Sequence, residues 1–172
     1  MAISVNRLTN VNIYIDGINH LGKAEEVSLP DIKHKMAEHK AIGMIGTFEL
    51  FAGIDKMEAK IKWNAFYADV LRKAANPFQA VQLQIRGSIE NYAATGRVSQ
   101  VPLVTFVTAT FKNYPLGNFK QHDNAELESM LNVIYVRQEI DGEAVMELDV
   151  LANIFKVDGE DLLEVYRANI GG

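Results

Sequence analysis

The chain has 172 residues, 48% of them hydrophobic and 23% charged, with 17 basic against 22 acidic side chains and a net charge of −5. That length closes one hydrophobic core unaided and is short for two, so a single domain over residues 1–172 is expected, and the composition excludes disorder and low-complexity scaffolds. The acidic balance supplies no positive field for nucleic acid or an anionic membrane, and the absence of cysteine excludes a disulfide framework, Cys-ligated metal and thiol catalysis.

The opening Met1-Ala2-Ile3-Ser4-Val5-Asn6-Arg7 lacks the apolar stretch of a signal peptide. No later run approaches the roughly 20 apolar residues that cross a bilayer, so cytoplasmic synthesis without membrane insertion is expected. Val11 to Ile15 reads as a strand, and Asp16-Gly17, suited to the positive φ angles of a tight hairpin turn, leads it into a second strand before Leu29. From Glu38 to Gly46 no period holds. Ile42, Gly43, Met44, Ile45 and Gly46 form an apolar loop between flexible glycines, which either folds back over the subunit's own core or meets another molecule.

Met57, Ala59, Ile61 and Trp63 alternate with Glu58, Lys60, Lys62 and Asn64, the pattern of a half-exposed strand. Phe66, Val70, Leu71 and Ala74 then mark one face of a short helix halted by Asn76-Pro77. A second alternating strand sets Val81, Leu83, Ile85 and Ile89 against Gln82, Gln84, Arg86, Ser88 and Glu90, with Gly87 interrupting the apolar row. The runs Val101–Phe111 and Leu127–Ile140 are rich in Val, Ile, Thr and aromatics but blurred in alternation, which predicts inner strands buried on both faces. Asp141-Gly142 turns the second run into Val145–Val150, and Asp158-Gly159 ends a strand over Asn153–Val157. A last helix carries the stripe Leu162, Leu163, Tyr166 and Ile170, with Glu160 and Asp161 at its start and Gly171-Gly172 beyond its end. The sum is a mainly β, antiparallel barrel or sandwich with two short amphipathic helices packed on it.

Motifs for catalysis do not assemble. His20, His34, His39 and His122 are scattered without metal-ligand spacing and read as exposed or turn histidines. Ser88 lies within a strand rather than a nucleophile elbow, and neither Gly43-Met44-Ile45-Gly46 nor Gly22-Lys23-Ala24 completes a phosphate loop. Glu25-Glu26 and Glu126/Glu128 suit strand surfaces, Asp158/Glu160/Asp161 a turn and helix cap, and Trp63 with Phe66 and Tyr67 core packing. No catalytic, metal or cofactor site is expected.

An ordered set of segments nonetheless resembles one family. Asn10 to Gly17, Ser28-Leu29-Pro30 and Ala41 to Gly46 are similar to the N-terminal part of the major tail tube protein of contractile-tailed bacteriophages and phage-tail-like bacteriocins, the tail tube protein FII family. Arg86-Gly87-Ser88, Leu116 to Lys120, Asp141-Gly142, Glu147-Leu148-Asp149, Asn153-Ile154, Lys156 to Gly159, Asp161 and Arg167 to Gly171 continue the resemblance, while about residues 55–80 follow it in pattern only. What the resemblance implies is a structural, non-enzymatic subunit whose hexameric rings stack into a hollow tube inside a contractile sheath. Its implied partners are further copies of itself, sheath, baseplate and tail-terminator proteins, with DNA in transit only. The loop Ile42 to Gly46 would then touch the neighbouring ring. Glu58, Lys60 and Lys62, or Gln82, Gln84 and Arg86, would line the lumen or face outward. Two rivals remain at this point: a ligand-binding or enzymatic β-barrel with inward polar groups, and a type VI secretion tube protein of the same architecture.

Overall fold

A computed structural model describes residues 3–119, 121–122 and 125–171. Met1, Ala2, Lys120 and Gly172, named above, lie outside the described residues. β1 (Val5–Ile15) turns at Asp16-Gly17, with φ of 48° and 80°, into the two-residue β2 (Ile18–Asn19). β3 (Ala24–Ser28) follows, but it is not the partner of β1 that the turn suggested. His20 N–H donates to the Ile13 carbonyl at 2.9 Å, ending the hairpin, and the chain swings away. β4 (His34–His39) and β5 (Phe48–Ile54) form a two-stranded sheet of their own. β6 (Met57–Trp63) is the antiparallel partner of β3.

After α1 (Ala68–Ala74) come the long strands β7 (Ala80–Ala93), β8 (Gly96–Phe111) and β9 (Leu127–Ile140). Asp141-Gly142, with φ of 55° and 83°, turns the chain into β10 (Glu143–Asp149), followed by β11 (Ile154–Val157), β12 (Glu160–Asp161) and α2 (Glu164–Asn169). The main sheet runs β12-β11-β10-β9-β8-β7-β1-β2, all antiparallel. It forks at β9. One edge of that strand pairs with β8 from Leu131 to Ile140, while the other pairs with β6 over Leu127–Val133 and with β10 over Tyr135–Ile140. The strands β3-β6-β9-β8-β7-β1 therefore curl around one core, as the barrel expectation requires. They stop short of closing: among the described residues no ladder joins β3 to β1, and a cleft of about 340 Å³ lies between them.

Inside the curl the two alternating strands behave as read. Met57, Ala59, Ile61, Trp63, Val81, Leu83 and Ile85 are buried in one cluster with Ile13, Ile15, Val107, Leu131, Val136 and Leu148, and Ile89 is buried outside it. At about 1.5–3 kcal/mol for each large aliphatic or aromatic side chain, this cluster is the main favourable term. The Trp63 indole N–H donates to Ser129 Oγ at 3.0 Å, so the ring is buried with its polar end satisfied. Gly87 interrupts its row because Leu8 crosses above it; a Cβ there would stand 2.6 Å from Leu8 Cδ1.

Four further expectations are corrected. β8 and β9 are central strands but are closed on one face only: Val104, Phe106 and Thr108 on the outer side of β8 remain half-exposed. Alternation blurs in β9 because a bulge at Ile134 flips the phase, inward residues being Leu127, Ser129, Leu131 and Val133 before it and Val136 after. Second, Glu160 and Asp161 form β12 rather than a helix start, and α2 packs no buried residue on the sheet; Leu162, Val165, Tyr166 and Ile170 are exposed. Arg167 tethers this helix through Asp161, at 2.6 Å, and the Asn153 carbonyl, at 2.7 Å. Third, His20 is not exposed but 1% accessible, edge-on to Trp63 at 5.9 Å. Fourth, Phe66 leaves the helix and stacks on Phe119 at 5.3 Å.

Candidate assembly surfaces

The β4–β5 hairpin contributes almost nothing to the core. Every residue of β4 and the first five of β5 are exposed, and apolar groups stand on both faces: Met36 with Phe51 on one, Ala37 with Leu50 and His39 with Phe48 on the other. A two-stranded ribbon of this kind is marginal by itself in water. Its base is held where His34 sits 5.7 Å from Phe51 and 6.3 Å from Phe155, and where Asp55 N–H donates to the Lys33 carbonyl at 2.9 Å. At its tip lies the loop singled out from sequence. Ile42 and Ile45 are fully exposed, at 107% and 111%, and Met44 is 40% exposed. The loop does not fold back on its own core. The hairpin flanking it was missed because its apolar residues keep no single phase; the alternation Phe48-Glu49-Leu50 was the available signal.

Beside the hairpin base, an apolar groove of about 440 Å³ runs between β5, the β10–β11 corner and α2, lined by Phe51, Ile54, Val150, Ile154, Leu163 and Tyr166 among others. The unburied stripe of α2 borders it.

The two polar rows point outward on different parts of the curl. Glu58, Lys60 and Lys62 share a face with Glu26 and Ser28 of β3 and Glu128, Met130 and Asn132 of β9. Its lysines are all engaged by carboxylates: Lys60 meets Glu128 at 3.4 Å, Lys62 meets Glu25 at 3.2 Å and Glu126 at 3.5 Å, and Lys56 and Lys112 both meet Glu58. These contacts hold the Glu58 carboxyl below its ordinary range, chiefly through the hydrogen bond from Lys112, and raise Lys62, chiefly through that to Glu25.

Gln82, Gln84 and Arg86 lie instead on the outer face of β1-β7-β8, cross-strand from Tyr14 and Asn12 on one side and from Thr108, Phe106 and Val104 on the other. Arg86 stands 6.0 Å from the Tyr14 ring and has no acidic partner among the described residues. A shallow pit of about 260 Å³ opens there between Gln82, Phe106, Thr108, Tyr135 and Arg137. Structure therefore separates the two rows rather than joining them in one site. Among the described residues no three His, Asp or Glu side chains cluster as metal ligands, and no helix is long and apolar enough to cross a membrane.

The exposed apolar tip and the apolar groove at the hairpin base are the surfaces that the subunit's own core leaves uncovered. The chain is 29% identical over 169 residues to the tail tube protein of Escherichia phage P2, covering 96% of each chain. To the major tail tube protein of Serratia phage KSP20 it is 25% identical over 158 residues, covering 91% of this chain and 90% of the relative. Its fold matches the sheath/tube terminator of an extracellular contractile injection system (PVC) in the extended state with TM-score 0.54 at 15% identity, over 75% of this chain and 92% of that one. The sheath–tube complex of that system gives TM-score 0.53 at 14% identity, over 75% and 87%. With residues 5–171 matching the family described as phage tail tube protein FII, the chain belongs to that family and is a structural tail tube protein, not an enzyme.

Proposed function

We propose that the subunit forms hexameric rings which stack, through the β4–β5 hairpin, into the inner tube of a contractile tail or tail-like particle assembled in the host cytoplasm, the whole chain acting as one tail-tube domain. Sheath protein surrounds that tube, and baseplate and terminator proteins close its ends. In a phage the bore conducts DNA; in a headless particle the tube punctures the target envelope. One observation carries the reading: Ile42 and Ile45, full-size aliphatic side chains, stand wholly in water at the end of a hairpin that its own core does not support. Burying them against an adjacent ring, at about 25 cal/mol per Å² of apolar surface, favours stacking. The outer edge of β1 before Tyr14, unpaired among the described residues, supports lateral association, because an unpaired edge is completed by another strand.

The test is sedimentation of purified protein across a concentration series, with negative-stain microscopy of the concentrated end. Rings that give way to tubes are expected. A monomer at every concentration, with no tubes in the microscope, would sink the proposal.

A further inference from the structure

The fold offers two broad outward faces, and they differ in adhesiveness. On the β3-β6-β9 face, among the described residues, Lys56, Lys60, Lys62 and Lys112 are each bound to a carboxylate, and Glu25, Glu26, Glu58, Glu126 and Glu128 outnumber them by one. A passing phosphate would have to displace a carboxylate already in place to reach any of these ammonium groups. Counterion release, the main source of affinity for nucleic acid, is then largely absent. Over the stretch of β9 paired with β6, Leu127–Val133, and among the described residues, the face also carries no aromatic side chain on which a base could stack: its other positions are Ser28, Met130 and Asn132.

On the β1-β7-β8 face one cation is left uncompensated and aromatic rings stand beside it. Arg86 is unpaired by acid among the described residues and Tyr14 lies under its guanidinium, while Phe106 and Tyr135 border a pit in which Arg137 is paired with Glu139. Arginine interleaved with aromatics is what single-stranded nucleic acid and protein hot spots both use. Repeated around rings and along a tube, such a surface would retard a polyanion, whereas against a protein it provides anchors.

We infer that the β3-β6-β9 face, with Glu58, Lys60 and Lys62, forms the channel wall, and that the β1-β7-β8 face, with Gln82, Gln84 and Arg86, is turned away from the bore toward protein. The inference rests on the tube reading and assigns its two polar rows. Because the chain has no cysteine, single thiols report position cleanly. Lys60→Cys, and Asn132→Cys as a second position on the same face, are assembled into tubes and treated with a small maleimide or with a long poly(ethylene glycol) maleimide too wide for the bore. Both positions should react with the small reagent and lose all labelling by the long one, although the disassembled subunit takes up both. Gln84→Cys should either accept the long reagent or be shielded from both. Labelling of Lys60→Cys or Asn132→Cys by the long reagent in intact tubes, their resistance to the small one, or small-reagent-only labelling of Gln84→Cys would overturn the assignment. Failure of the unsubstituted protein to form tubes would instead remove the tube reading, and microscopy separates the two failures.

Discussion

β6 and β5 are equally long, seven residues each, and both are rich in apolar side chains, yet one is the centre of the core and the other stands in solvent. In β6 the apolar residues keep strict period two, so a single face takes Met57, Ala59, Ile61 and Trp63 inward while Glu58, Lys60 and Lys62 remain in water. In β5, Phe48 and Leu50 fall on one face and Phe51 on the other, so no single packing layer can cover them. The difference lies in phase rather than in hydrophobicity. A strand that keeps phase is buried by its own chain; one that carries apolar groups on both sides cannot be covered by a single layer of it. Substitutions in the two regions should therefore separate folding from assembly.

The largest effect is expected inside. Trp63→Ala removes the biggest buried side chain and leaves Ser129 Oγ without its donor. A loss of about 3–5 kcal/mol follows from truncating a buried aromatic, a large part of the roughly 5–15 kcal/mol that a domain possesses. Urea unfolding of the subunit under conditions that keep rings apart measures it. An unchanged midpoint would break the comparison, because β6 would then be no more essential than the hairpin.

A pH-dependent term sits beside that ring. His20 is buried against Trp63, with Nε2 3.8 Å from Asp69 Oδ2 and neither ring nitrogen hydrogen-bonded. Burial lowers its pKa below the ordinary 6.5, Lys23 and Lys73 push the same way, and Asp69 opposes them. Above pH 6.5 the imidazole is neutral in both states and folding carries no penalty from it. As pH falls through that value the unfolded chain takes the proton first, so stability declines until the lower folded pKa is reached. One such group gives a slope of at most about 1.4 kcal/mol per pH unit. His20→Leu should flatten the stability profile between about pH 7 and 5, whereas an equal slope in both proteins would show that the imidazole titrates as freely as in the unfolded chain.

This histidine also marks how far the sequence could be read. Strands with clean alternation, the Asp-Gly turns and the helix stopped at Asn76-Pro77 were legible because short-range chemistry decides them: φ in a turn, period in a half-buried strand. The burial of His20 was not. It depends on Trp63 and Asp69, distant in sequence and brought together by the turn of the chain after Asn19. The pairing of β3 with β6 instead of β1, and the bulge at Ile134, likewise follow from long-range sheet closure. Ile42, Met44 and Ile45 stand out in the sequence because an apolar loop between glycines violates the usual pattern, and the structure leaves them exposed, while the α2 stripe reads in the sequence as a core-facing helix. Amphipathic spacing shows that a helix has a partner face; it does not say whether that partner belongs to the same molecule.

The smallest effect on folding is expected at the hairpin tip, where the effect on assembly is complete. Replacing Ile42, Met44 and Ile45 together by Ser removes no member of the core cluster, since two of the three side chains are wholly exposed and Met44, 40% exposed, lies outside that cluster. Such surface changes ordinarily shift stability by no more than about 0.5 kcal/mol, so circular dichroism and the urea midpoint should match those of the unsubstituted subunit. Stacking, in contrast, loses the apolar area those side chains would bury at each ring junction, and because every junction in a tube repeats the same contact, a deficit at one is a deficit at all. Rings without tubes are the expected species in the microscope. A triple variant that fails to fold would mean that the tip supports its own hairpin, and the distinction drawn between β5 and β6 would collapse into one of degree. A variant that folds and still elongates would place the stacking contact elsewhere, with the α2 stripe and the groove at the hairpin base as the next surfaces to alter.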